Sequence, residues 1–254
     1  MISLTVGVLA LQGGFSEHVD LVRKAAEYLS STEGISKAKF QCVEVRTKEQ
    51  LDQCDALIIP GGESTTISFV AAQSGLLEPL RDFVKYTMPV HSVLYLLTQT
   101  RVQKRPVWGT CAGLILLSDE ANATKKGGQE LIGGLAVRVH RNHFGRQMES
   151  FESGLELPFL NDSKPFPGVF IRAPVVEEVI GSNSDERPAV QILAKLPGRV
   201  DKMKSGVSQA NTKDDSGDIV AVRQGNVLGT SFHPELTKDE RIHVWWLKEI
   251  LNQQ

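Results

Sequence analysis

Cysteine is scarce in this chain, and its scarcity narrows the setting at once. The three that occur among 254 residues, Cys42, Cys54 and Cys111, are an odd and sparse set that cannot build a disulfide framework. A reducing compartment is therefore expected, and the cytosol fits best. Long apolar runs are also missing: none approaches the ~20 residues that a membrane-spanning helix needs, so a soluble protein with no membrane role is expected. The apolar start, MISLTVGVLALQGG, lacks the basic n-region and the small-residue cleavage site of a secretory signal and reads as a first strand. Charge of one sign is absent too. The 28 basic and 30 acidic residues are spread along the whole length for a formal net charge of −2, leaving no stripe for nucleic acid and no polybasic membrane patch. No internal repeat is visible. With 41% hydrophobic residues, the chain can bury a sizeable core, expected here as one domain over 1–254.

What is present alternates. Thr5 to Leu11 is a continuous apolar run bounded by Gln12, Gly13 and Gly14, the pattern of a strand covered on both faces. Ser16 is placed to cap a helix whose inward stripe is Val19, Val22, Ala26 and Leu29. A second strand, Gln41 to Val45, is followed by a short helix with a capping box of Thr47 and Gln50. Ala56 to Ile59 is a third buried strand ending at Pro60-Gly61-Gly62, and a helix from about Thr65 to Lys85 is expected to break in two at Gly75 and Pro79. The second half reads as shorter strands: Ala136 to His140, Gly168 to Ile171, Val190 to Leu196, Ile219 to Arg223 and Val227 to Ser231. A closing helix carries a capping box, Thr237 to Glu240, and an inner face of Ile242, Trp245, Trp246 and Ile250. Residues 201–218 are polar and rich in Gly, Ser and Asp, which predicts a mobile surface loop. Strands alternating with amphipathic helices predict an α/β fold, a mostly parallel central sheet with helices on both faces. Ligands of such sheets bind beyond the C-terminal strand ends, where GGES at 61–64 and GTCAG at 109–113 both fall.

GTCAG has the makings of a nucleophile elbow: strand, sharp turn, helix, with small residues flanking a strained nucleophile. The turn would lift the Cys111 sulfur clear of the sheet and set it at a helix start, where unpaired N–H groups favour the thiolate. An arbitrary free cysteine is more often a small buried hydrophobe, and Cys42 and Cys54 are read that way. Such a nucleophile needs a base and the base needs an orienting group. Ser231-Phe232-His233-Pro234-Glu235 offers both, since residues i and i+2 of an extended segment point the same way and Glu235 can then reach His233. His18, His91, His140, His143 and His243 are read as satisfied core or surface residues; the His140/His143 spacing hints at metal, but no Cys, Asp or Glu cluster completes a site. Acyl transfer also calls for two oxyanion donors, expected from the amide of Ala112 and from the Gly61-Gly62 loop. The plainer reading of GGES is a strand-to-helix turn with Ser64 as N-cap.

With GTCAG, PGGES and SFHPE in place, the chain resembles a class I glutamine amidotransferase domain, which implies a flavodoxin-like three-layer fold. More narrowly it is similar to the glutaminase subunits of pyridoxal 5'-phosphate synthases, through LALQGGFSEH at 9–18, PGGESTT at 60–66, WGTCAGLILL at 108–117, RNHFGRQMESFE at 141–152, FIRAP at 170–174 and SFHPELT at 231–237. The resemblance implies hydrolysis of L-glutamine to glutamate and ammonia, with ammonia passed to a separate synthase subunit that makes pyridoxal phosphate, and no cofactor. It implies that Cys111 attacks the amide, His233 shuttles protons and Glu235 orients His233. Gly61, Gly62, Glu63, Arg141, Ile171 and Arg172 would then lie around the glutamine. Independently, the motifs and their scaffold leave no room for an ammonia-using domain, so the acceptor must come from another chain. One departure stands out. Residues 86–103 are an atypical insertion with the apolar run Val90, Val93, Leu94, Leu96 and Leu97: an added surface helix, a partner-binding patch, or a segment that disturbs the elbow. Three other readings remain open: the glutaminase of another synthase, such as that of imidazole-glycerol phosphate, a catalytically silent regulatory subunit, and a cysteine hydrolase of γ-glutamyl peptides.

Overall fold

A computed structural model of the chain describes residues 2–32, 38–85, 105–122, 129–141, 150–180, 187–196 and 217–252. The 86–103 insertion, most of the 201–218 loop, His91 and His143 lie outside the described residues. In chain order the elements are β1 (Ile2–Leu9), α1 (Phe15–Thr32), β2 (Ala38–Val45), α2 (Lys48–Asp52), β3 (Ala56–Ile59), α3 (Ser64–Gln73), α4 (Leu77–Val84), β4 (Val107–Thr110) and α5 (Ala112–Leu117). Then follow β5 (Ser118–Asn122), β6 (Leu135–His140), β7 (Phe151–Leu155), β8 (Phe166–Phe170), β9 (Val175–Val179), β10 (Gln191–Leu196), β11 (Asp218–Gln224), β12 (Val227–Thr230) and α6 (Arg241–Asn252). Short 3-10 turns occupy Pro158–Leu160 and Pro234–Leu236.

The main sheet runs β2-β1-β3-β4-β12-β11-β9-β6-β5, with β10 beside β11, and β7 pairs with β8 in a separate hairpin. It is parallel from β2 through β12, where the candidate site sits, and turns antiparallel through β11 and β9 to β6. Because side chains alternate across a strand, neighbouring residues feed different cores. Ala56, Ile58, Trp108 and Leu228 pack with α1 and α6 on one face. Leu57, Ile59, Val107 and Val227 pack with α3, α4 and α5 on the other. These strands are therefore apolar without interruption, as a doubly covered sheet requires. Each fully buried Leu or Ile contributes about 1.5–3 kcal/mol relative to leaving it in water. Among the described residues no helix is long and apolar enough to cross a membrane.

Four local expectations change. Gly14, not Ser16, stands before α1, since the His18 N–H donates to the Gly14 carbonyl and the Ser16 hydroxyl turns to Glu17. The Thr65 to Lys85 helix breaks at Gly75 alone: Gly75 is left-handed, and the N–H groups of Gly75 and Leu76 close on the carbonyls of Ala72 and Ala71. Pro79 sits in the first turn of α4, where its missing N–H costs nothing. Thr237 does not form a capping box with Glu240. It finishes the preceding 3-10 turn, donating to the Pro234 carbonyl, and Asp239 accepts from the Arg241 N–H instead. The Thr47/Gln50 box does form. On α6, Ile242, Trp246 and Ile250 are buried, whereas Trp245 is half-buried against Phe159.

Candidate active site

Cys111 stands at the junction of β4 and α5 with φ 47° and ψ −99°, a conformation that costs a side-chain-bearing residue of order 1–3 kcal/mol. It is held there by its N–H to the Thr230 carbonyl (2.8 Å) and by its own carbonyl, which accepts from Ile115. The flanking glycines are required by close approach. A Cβ on Gly113 would lie 2.0 Å from the Ile59 carbonyl oxygen, and one on Gly109 would lie 2.5 Å from the Gly113 carbonyl. The elbow is thus pressed between β3 and its own helix, and no larger residue fits on either side.

His233 follows β12 and is fastened to the neighbouring hairpin by its N–H to the Val169 carbonyl (2.8 Å). Its Nδ1 lies 2.7 Å from Glu235 Oε1, and both side chains are buried. The pair meets through a 3-10 turn at Pro234–Leu236 rather than through an extended segment, because the fixed φ of Pro234 starts that turn and folds Glu235 back under the ring. Burial works against a charged imidazole here, but the Cys111 sulfur, by charge and hydrogen bond, and then Glu235 outweigh it and raise His233 from 6.5 to about 10. A pKa raised on folding stabilises the native state fully below about 6.5, and that contribution fades as pH climbs through about 10. Since Cys111 is the largest upward influence, a titration of the His233 ring by NMR should move distinctly toward neutrality in Cys111→Ala. An unmoved midpoint would mean that sulfur and imidazole do not interact.

The Gly61-Gly62 loop lies directly over this ring: a Cβ on Gly61 would meet His233 Cε1 at 2.3 Å and Cys111 Cβ at 3.3 Å. The loop is seated from below by Gln12-Gly13-Gly14. Gly14 N–H donates to the Gly61 carbonyl (3.1 Å), Gln12 Oε1 accepts from Glu63 N–H (2.7 Å), and a Cβ on the left-handed Gly13 would overlap the Gly61 oxygen at 1.8 Å. Ala112 is the first residue of α5, so its N–H has no partner within the helix.

Glu63, not Ser64, caps α3. Its carboxylate accepts from the N–H groups of Thr65 and Thr66 and from both hydroxyls, and these bonds overcome partial burial to lower its pKa to about 2. The same carboxylate lies 3.7 Å from Arg141, whose side chain is only 12% exposed. Ser64 opens α3 and donates to Gln129. On the far rim, the Ile171 carbonyl is 4.0 Å from Cys111 Sγ, and Arg172 beside it is left-handed with φ 44°. Cys111, His233, Gly61, Ala112 and Ile171 thus gather around one sulfur, with Glu235 behind the imidazole and Gly62 turned toward Gln12. Glu63 and Arg141 form a pair at the edge. Among the described residues no group of three or more His, Cys, Asp and Glu could hold a metal ion.

Two residues read as ordinary core prove to be neighbours of the site. His18, on the inward face of α1, and His243, on that of α6, are fully buried. His18 Nε2 lies 3.3 Å from Glu235 Oε2. The available signal was that each histidine falls on the apolar stripe of a helix, where an unpaired ring would be costly. Gln12 was missed as well, although QGG after a buried strand repeats the pattern of PGG after another.

Known proteins agree with this architecture. The profile of the SNO glutamine amidotransferase family matches residues 8–252. The probable pyridoxal 5'-phosphate synthase subunit PDX2 of Arabidopsis thaliana is 42% identical over 254 residues, spanning 96% of this chain and 85% of that protein. The pyridoxal 5'-phosphate synthase subunit PdxT of Thermococcus onnurineus is 38% identical, spanning 98% of this chain and 100% of its own length. A crystal structure of a glutamine amidotransferase, 37% identical, superposes with a TM-score of 0.67 over 96% of this chain and 98% of that one.

Proposed function

The chain belongs to the SNO glutamine amidotransferase family, and on that footing we propose that it is the cytoplasmic glutaminase subunit of a pyridoxal 5'-phosphate synthase, one glutaminase domain that releases ammonia for a separate synthase subunit. The observation that carries the chemistry is the Cys111 sulfur set against an imidazole whose far nitrogen is 2.7 Å from a buried carboxylate.

In this reading the Cys111 thiolate attacks the side-chain amide carbon of L-glutamine, and a C–S bond forms as the carbonyl electrons move onto oxygen. The amides of Gly62 and Ala112 receive that oxyanion. His233, protonated between sulfur and Glu235, gives its proton to the departing nitrogen, and ammonia leaves a thioester behind. His233 then takes a proton from water as the water attacks the thioester, and the sulfur departs with glutamate formed. Glu235 keeps the Nδ1 proton in place so that the working nitrogen faces sulfur. Arg141 and Arg172 supply charge for the substrate carboxylate, with Gly61, Glu63 and Ile171 around it. Relatives named as subunits of pyridoxal 5'-phosphate synthase support that acceptor over the other amidotransferase partners.

Glutamate release should rise when a pyridoxal 5'-phosphate synthase subunit is added, and should not respond to an imidazole-glycerol phosphate synthase subunit. A response to the second alone would overturn the assignment of the partner.

A further inference from the structure

We propose that His18, backed by His243, is a positioning residue of this site: it grips the second oxygen of Glu235 and thereby sets the orientation and tautomer of His233. The inference rests on the Cys111, His233 and Glu235 reading above.

Glu235 Oε1 is occupied by His233, while Oε2 is buried and, among the described residues, makes no hydrogen bond of good geometry. A buried acceptor left unmatched is costly, and His18 Nε2 lies 3.3 Å from it. The carboxyl is ionised: burial opposes this, but His18 and then His233 hold it well below the usual carboxylate range. An ionised carboxylate only accepts, so the proton facing it must be on His18 Nε2. That nitrogen also lies 3.1 Å from the hydroxyl of Thr110, the residue next to the nucleophile.

His18 Nδ1 is 3.0 Å from His243 Nε2, and His243 Nδ1 has no partner among the described residues. If Nδ1 of His18 were protonated as well, the single proton of His243 would sit on the orphaned Nδ1, a buried donor with nowhere to go. If His18 is neutral, His243 Nε2 donates to it, and only a lone pair is left bare, which proteins tolerate better. Burial keeps His243 well below its ordinary value, hence uncharged. One directional chain results: His243 to His18, His18 to Glu235 Oε2, and His233 to Glu235 Oε1. The two back rings are clamped by Trp108 of β4, with centroids 5.7 Å from His18 and 4.9 Å from His243, and the Trp108 indole N–H is itself tied to the Thr230 hydroxyl at 3.1 Å. The carboxylate is therefore braced by α1, α6 and the nucleophile's own strand.

His18→Gln keeps an N–H near the position of Nε2, while His18→Asn reaches only as far as Nδ1 and His18→Phe keeps ring volume without donors. With synthase subunit present in every assay, kcat for glutamate release should fall about 10- to 100-fold in the Phe and Asn variants with KM nearly unchanged. The Gln variant should stay within about threefold of the parent. Removing a donor from Glu235 makes it easier to protonate, so the acid limb of the kcat/KM profile should shift to higher pH in the Phe and Asn variants only. Should His18→Phe fail to fold, the Gln and Asn pair carries the test. Equal kcat and superimposable pH profiles for Gln and Asn would overturn the proposal. Cys111→Ala run alongside separates the two failures: turnover persisting there removes the triad itself, whereas a dead Cys111→Ala with unaffected His18 variants removes only His18.

Discussion

Cys111→Ala is expected to lower glutamate release by at least about three orders of magnitude, because no other nucleophile among the described residues stands against the His233 imidazole. Its methyl occupies the same strained φ 47°, ψ −99° backbone, so that strain is kept. Cys111→Gly should be equally inactive but more stable. Glycine takes that conformation without strain, and the relief, of order 1–3 kcal/mol, exceeds the extra 0.5–1 kcal/mol or so of chain entropy that glycine loses on folding. For a chain of this size 1 kcal/mol corresponds to roughly 2–4 °C, so a thermal melt should place the Gly variant a few degrees above the Ala variant. The reverse order would show that the elbow stores no strain. Substantial turnover in either variant would dismiss Cys111 as nucleophile.

Gly113→Ala should be a severely damaging single methyl. Helix propensity favours alanine by about 1 kcal/mol, so an argument from α5 alone predicts a gain. The new Cβ, however, would lie 2.0 Å from the oxygen and 2.9 Å from the carbon of the Ile59 carbonyl, both backbone of a central strand that has no rotamer to yield. Separating β3 from α5 should cost about 3 kcal/mol, a fall of roughly 6–12 °C in melting temperature. The displacement also moves the sulfur relative to His233, and a shift near 1 Å is worth about 100-fold in rate. A variant melting at or above the parent would mean that the helix can back away from the sheet, and that the glycine is not there for close approach.

How far the sequence could be read depended on the range of the forces involved. Val107 to Leu117 announces strand, elbow and helix because a doubly buried strand must be apolar throughout and a pinched turn must be flanked by glycine. Both are rules of neighbouring residues. His233 and Glu235 could be paired for the same reason, being two residues apart, although the turn between them is a 3-10 turn and not the extended segment that spacing implies. The Ser16 and Thr237 caps were misread because several oxygens compete within one turn of each helix start, and only the backbone path decides which is used. Glu63 as the cap of α3 is the same lesson: Ser64 is the commoner cap type, but the longer carboxylate reaches two N–H groups and two hydroxyls at once.

The sequence by itself determined the alternation of buried strands and amphipathic helices, the elbow at Cys111, and the histidine and carboxylate able to serve it. Those features are set by backbone sterics and by side chains a few residues apart. Only the tertiary structure decided that Gln12-Gly13-Gly14 seats the Gly61-Gly62 loop and that His18 and His243 meet behind Glu235. These groups come from α1, α6 and the ends of β1 and β3, and what brings them together is the order β2-β1-β3-β4-β12, with one helix layer on each face. Burial supplies the final physical reason, because a polar ring sealed inside a core must find partners there, and which partners are within reach depends on how whole elements pack.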